Sequence, residues 1–156
     1  MSAGFRDEVE RVWREQGTKI WRSLLAFCGD PDVATDATAE AFAQALGRGE
    51  GVRDHARWIW RAAFRIAAGD LQDRSRRSAE ASWHEAAIEN PDSVADLVVA
   101  LRQLSPNQRA AAVLHLYADL PTRDVARTLG CSQATVRVHL SQARRRLRAL
   151  LKDDDG

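Results

Sequence analysis

The most specific set of side chains in this chain lies at residues 120–151, LPTRDVARTLGCSQATVRVHLSQARRRLRALL. Gln133, Ala134, Arg137, Val138 and Ser141 recur at the spacing of one helical face, and Arg144, Arg145, Arg146 and Arg148 trail them. A helix fits the DNA major groove: residues near its N-terminal end reach base edges, and arginines further along meet phosphates. The chemistry available to such a set is non-covalent. An arginine that reads guanine discriminates by about 1–3 kcal/mol, whereas one that meets a phosphate adds salt-sensitive affinity without sequence choice. A second set lies upstream. Arg57, Trp60, Arg61, Phe64 and Arg65 interleave cations with aromatic rings, and Arg74, Arg76 and Arg77 extend the charge. Bases stack on rings while guanidinium groups hold the backbone, so this set suits unpaired nucleotides. On the same helix Trp58, Ile59, Ala62, Ile66 and Leu71 are expected to face the core, and whether Trp60 and Phe64 point outward or join them stays open.

Enzymatic chemistry finds little support. His55, His84, His115 and His139 are scattered, and no HExxH, glycine-rich phosphate loop or serine elbow occurs. Asp36 and Glu40 suit an exposed helix face better than an acid–base pair. Cys28 and Cys131 lie far apart without CxxC spacing and read as buried, reduced thiols. No metal and no cofactor is expected.

Helices must position both sets. Val125, Ala126 and Leu129 share one face, Gly130 supplies a left-handed turn, and Ser132 is a good N-cap for a helix from Gln133. Val136, Leu140, Ala143 and Leu147 then bury one stripe of that helix, which makes the pair a helix-turn-helix. Before it, Ser105-Pro106-Asn107-Gln108 combines an N-cap, a first-turn proline and a capping box, and Leu97, Val98, Leu101 and Leu104 form a short helix ahead of that signal. At the N-terminal end, Phe5, Val9, Val12, Trp13, Ile20, Trp21, Leu24 and Phe27 keep helical spacing, with a break or kink expected at Gly17 and a stop at Gly29 to Asp32. A second helix over 31–46 packs Val33, Ala37, Ala41 and Ala45 inward and ends at GRGEG; a third runs over 53–77. Residues 78–92, SAEASWHEAAIENPD, lack an apolar stripe and read as a linker.

Composition agrees with a nearly all-α chain of two small domains. Of 156 residues 45% are hydrophobic, alanine, leucine and arginine dominate, and few segments alternate strictly. The formal charge of +1 hides a segregation. Residues 1–50 carry six basic and nine acidic groups, residues 51–80 seven and four, residues 81–120 two and five, and residues 121–156 eight and four. Two basic blocks alternate with two acidic ones, the pattern of a protein that grips a polyanion at two places and offers acidic surface elsewhere. No apolar run reaches the roughly 18–20 residues of a membrane span, and the N-terminal MSAGFRDEVERVW is charged, so a cytoplasmic location is expected.

With these residues in view, the whole chain resembles the extracytoplasmic-function group of bacterial sigma factors. LRQLSPNQRAAAVLHLYADLPTRDVARTLGCSQATVRVHLSQARRRLRALL is similar to the group's minus-35 promoter reader. GDPDVATDATAEAFAQAL resembles the helix that docks on the polymerase clamp, and RWIWRAAFRIAAGDLQDRSRR the helix that opens and reads the minus-10 element. The resemblance implies a region 2-like domain at 1–78, a linker at 79–93, a region 4-like domain at 94–152 and an acidic tail at 153–156. It further implies core RNA polymerase docking by Asp36, Ala39, Glu40, Ala43 and Gln44, minus-10 contacts by Arg57, Trp60, Arg61, Phe64, Arg65, Arg74, Arg76 and Arg77, and minus-35 contacts by Ser132, Gln133, Ala134, Thr135, Arg137, Val138, Ser141, Arg144 and Arg145. Promoter DNA and an inhibitory anti-sigma protein would complete the partners. The chain departs from the group's pattern where Ala39 stands for a glutamine and where Phe64-Arg65 stands for Arg-Asn. The alternative is a stand-alone regulator that binds an operator as a dimer, which would need neither the acidic helix nor the basic aromatic one.

Overall fold

The structure, a computed structural model, describes residues 3–77 and 92–152, with the backbone alone at 3, 74–77, 92–95 and 152. The expected linker, apart from Asp92 and Ser93, and the acidic tail lie outside the described residues. Every regular element among the described residues is helical, and the chain divides into two compact units, Met1–Ser82 and Trp83–Gly156.

The first unit is a three-helix bundle of α1 (Ala3–Cys28), α2 (Pro31–Arg48) and α3 (His55–Arg77). A sharp turn separates α1 from α2: Gly29 takes φ 73°, and the Asp30 carboxylate accepts from the amides of Asp32 at 2.9 Å and Val33 at 3.4 Å. Pro31 follows at the first helical position, where its missing N–H costs nothing. Ala34, Ala37, Ala41 and Ala45 are wholly buried on α2, and small side chains there let the larger Ile20, Leu24, Phe27 and Ile59 fill the centre. At the far end a single 3₁₀ turn, Gly49–Gly51, is tied to α3 and through it to α1 by His55, whose Nδ1 lies 2.6 Å from Glu8 Oε2 and whose Nε2 lies 3.3 Å from Gly49 O.

Two expectations for this unit are corrected. Gly17 does not break α1: a mid-helix glycine costs about 1 kcal/mol, too little to interrupt a helix packed on two others, and the bare Cα lies under the Trp13 ring. The buried stripe of α3 is Ile59, Trp60, Ala63, Phe64 and Ala67, one position round from the stripe expected through Trp58, Ala62, Ile66 and Leu71.

The second unit comprises α4 (Asp92–Arg102), α5 (Pro106–Ala112), α6 (Thr122–Leu129) and α7 (Gln133–Lys152). The capping box on α5 forms as the sequence predicts: Ser105 Oγ accepts from Gln108 N at 3.2 Å, and Gln108 Oε1 accepts from Ser105 N at 3.2 Å. The helix α5 does not run straight to its end. Val113–Tyr117 is a π-helical turn, closed by Ala118 N donating to Val113 O at 3.0 Å and by His115 Nδ1 donating to Leu120 O at 2.9 Å. Leu114, Val125, Val136 and Ala143 are wholly buried in the core that α5, α6 and α7 share. Both cysteines are thiols, Cys28 buried and Cys131 half-buried. Among the described residues no helix is long and apolar enough to cross a membrane, and no cluster of His, Cys, Asp and Glu could hold a metal ion.

Candidate nucleic-acid interfaces and docking face

The turn between α6 and α7 sets the angle of the last helix. Gly130 takes φ 70° and ψ 35°, and its amide and that of Cys131 both donate to Ala126 O, which closes the end of α6. Two residues later Ser132 Oγ accepts from Thr135 N at 3.1 Å and starts α7. With Val136, Leu140 and Ala143 buried, the opposite face presents Gln133, Ala134, Thr135, Arg137, Val138 and Ser141 to solvent, and Val138 is 52% exposed. Arg144 and Arg145 are exposed one turn further on. All nine residues singled out on this helix and its cap are therefore accessible, on a cylinder of groove-fitting width. Two tethers hold α7 to its neighbours: Gln108 Nε2 donates to Gln142 Oε1 at 3.0 Å, and Thr122 Oγ1 donates to Gln133 Oε1 at 3.3 Å.

On α3 the structure divides the aromatic set differently from the expectation. Trp60 and Phe64 are each only 3% exposed, so neither ring is available to a base. Phe64 packs between Phe27 at 5.4 Å and Trp60 at 6.3 Å, and the Trp60 indole N–H donates to Gln16 Oε1 at 2.9 Å. A buried indole needs such an acceptor, and α1 supplies it from 44 residues away. The outward aromatic is Trp58. Its ring carries the Arg48 guanidinium at 5.7 Å, and with Gln44, Arg61, Ala62, Arg65 and Ile66 it lines a groove of about 310 Å³ between α2 and α3. Arg61 and Arg65 keep their exposed positions beside it. Arg57 sits at the first turn of α3, its Nε 3.3 Å from Asp54, which also caps the helix by accepting from Arg57 N at 3.1 Å. The backbone of Arg74, Arg76 and Arg77 continues α3, while their side chains lie outside the described residues.

The third face belongs to α2. Asp36, Ala39, Glu40, Ala43 and Gln44 are all exposed, opposite the buried alanines, and Gln44 Nε2 donates to Glu40 Oε1 at 3.0 Å. Gln44 thus belongs both to this face and to the edge of the α2–α3 groove. Sequence reasoning missed Arg48 and misjudged Trp58. The spacing of 58, 61, 62, 65 and 66 was a signal for Trp58, since it marks a second amphipathic stripe as regular as the buried one, whereas Arg48 comes from α2 and no spacing on α3 reports it.

Comparison with known proteins bears on these surfaces. Residues 95–147 match the family model described as sigma-70, region 4. The RNA polymerase sigma-E factor of Streptomyces antibioticus is 28% identical over 99% of this chain and 91% of its own length. A probable ECF RNA polymerase sigma factor, SigI of Mycobacterium tuberculosis, is 27% identical over 90% of this chain, which spans 54% of that relative's length. Among solved structures, the sigma factor RpoE of Bartonella quintana, in complex with the anti-sigma factor NepR, superposes with a TM-score of 0.79 at 20% identity, covering 92% of this chain and 96% of that one. CnrH, in complex with the cytosolic domain of CnrY, gives 0.75 at 20% identity over 98% and 93%. At such identities the two structures speak to the fold.

Proposed function

We propose that this chain, similar to sigma factors along most of its length, is a sigma factor of the extracytoplasmic-function group, a promoter-specificity subunit that binds core RNA polymerase and directs initiation from its own set of promoters. The carrying observation is the outward face of α7, where Gln133, Ala134, Arg137, Val138 and Ser141 stand exposed on a helix whose other side is locked in the core. In this reading α7 lies in the minus-35 major groove, Ser132 and Thr135 fix its N-terminal turn, and Arg144 and Arg145 neutralise phosphates. The α2 face of Asp36, Ala39, Glu40, Ala43 and Gln44 docks on the polymerase.

The minus-10 element is taken by α3, with one change of cast. Trp58, not Trp60 or Phe64, offers the ring, while Arg48, Arg61 and Arg65 supply the charge for an unpaired strand, with Arg57 at the start of the helix and Arg74, Arg76 and Arg77 at its end. Base stacking in a duplex is worth about 1.4 kcal/mol per step, so opening several pairs outweighs what one groove recovers. Strand capture therefore depends on the polymerase, and the isolated chain binds duplex DNA weakly. No step makes or breaks a covalent bond on a residue of this chain, so we assign it no catalytic residue, no metal and no cofactor. The chain works in the cytoplasm, and an anti-sigma protein that covers its polymerase-binding and DNA-binding faces holds it inactive. The dimeric-regulator alternative gains no support from the relatives or from the folded surfaces.

Permanganate footprinting of a promoter opened by core polymerase plus this chain tests the reading. Reactive thymines around minus-10 are expected with the wild-type chain, and far fewer with Trp58→Ala. A polymerase complex that forms but leaves the strands paired contradicts it.

A further inference from the structure

The helix α6 begins without a side-chain cap of its own, because Pro121 occupies the N-cap position. The hydroxyl of the next residue, Thr122, is directed instead across the helix-turn-helix to the first residue of α7, donating to Gln133 Oε1 at 3.3 Å. Thr122 is half-buried and held at the start of a helix whose Val125 and Ala126 are buried, whereas Gln133 is exposed at the leading end of the reader face. An exposed glutamine samples many rotamers, and ordering one costs conformational entropy. A hydrogen bond from a fixed neighbour spends part of that cost before DNA arrives.

We propose that Thr122 is a positioning residue for base readout, and that the residue it positions, Gln133, reads an adenine in the minus-35 element. With Oε1 held by the Thr122 hydroxyl, the Gln133 amide keeps Nε2–H free to donate and retains a second lone pair on Oε1 to accept. That donor–acceptor pair matches N7 and N6–H of adenine in the major groove, and it does not match guanine, which presents two acceptors there. Thr122 touches no base in this arrangement; it acts through Gln133. The inference rests on the initiation reading above and assigns one base preference within it.

Transcription by core polymerase with the full chain, from a promoter library randomised across the minus-35 element, tests it. The wild-type chain is expected to favour adenine at one position. Gln133→Ala should reduce that preference about fivefold or more, the low end of a bidentate contact. Thr122→Val, which keeps the shape and removes the donor, should reduce it about two- to fivefold at the same position, add little in the double variant, and be rescued by Thr122→Ser. A Thr122→Val chain that selects the same elements as wild type overturns the role of Thr122, as does one that loses activity evenly across all elements. A Gln133→Ala chain that flattens a preference for another base overturns the adenine assignment. A wild-type chain that enriches no element at all overturns the initiation reading itself, which separates the two failures.

Discussion

Exchanging the two kinds of aromatic on α3 should separate folding from strand capture. Phe64 is 3% exposed and lies between the Phe27 and Trp60 rings, so Phe64→Ala leaves a cavity at the contact of α1 and α3. Truncation of a buried phenylalanine costs about 3–5 kcal/mol. The unit Met1–Ser82, at roughly 0.05–0.15 kcal/mol per residue, holds about 4–12 kcal/mol in total. Phe64→Ala therefore removes a large fraction of that stability. Trp58 is half-exposed, and Trp58→Ala forfeits a partial burial and a ring–guanidinium contact with Arg48, together about 1–2 kcal/mol. Urea unfolding of the full chain, followed by far-ultraviolet circular dichroism, reads the difference. With a slope of about 2 kcal/mol per molar, the midpoint of the first unit should fall by about 2 M for Phe64→Ala and by less than about 1 M for Trp58→Ala. Transcription measured well below the midpoint should then be lost in Trp58→Ala while its fold persists. Equal midpoint shifts, or a Phe64→Ala chain that unfolds like wild type yet fails in transcription, would refute the division of roles.

The helix-turn-helix should respond to its two local devices. Gly130→Ala meets open space but forces an alanine to φ 70°, costing about 1–2 kcal/mol, and should lower the melting temperature of the C-terminal unit by about 4–8 °C per kcal/mol. Ser132→Ala removes the acceptor for Thr135 N and should cost about 1 kcal/mol in the same melting experiment. Reversing charge on the α2 face with Asp36→Lys and Glu40→Lys touches only exposed positions, so stability should stay within about 0.5 kcal/mol while co-elution with core polymerase on gel filtration is lost. Arg144→Ala and Arg145→Ala should each reduce the salt slope of minus-35 binding by the holoenzyme by about one unit, with base preferences unchanged.

The C-terminal half was legible because its signals are local. The capping box at Ser105 to Gln108, the left-handed turn at Gly130, the cap at Ser132 and the stripe of Val136, Leu140 and Ala143 each act within one or two helical turns, and each formed as expected. The N-terminal half was harder at one point. Helix α3 carries two stripes of equal regularity, and the choice between them is made by Gln16 and Phe27 on α1, residues far off in sequence that satisfy the Trp60 indole and pack on Phe64. No local spacing reports such a partner. For the same reason the Arg48–Trp58 pair and the Thr122–Gln133 hydrogen bond surfaced only when separate helices were brought together. The π-helical turn at Val113–Tyr117 also went unseen, because VLHLY contains no glycine, proline or capping residue to mark a change of helix type.

Run-off transcription with purified core RNA polymerase, this chain and a pool of genomic fragments from the source organism tests the central claim most directly. Discrete transcripts that depend on the chain, and that disappear with Arg137→Ala on α7 and with Asp36→Lys on α2, are the predicted result. No transcripts and no association with core polymerase, alongside tight and specific duplex binding by the chain alone, would contradict it.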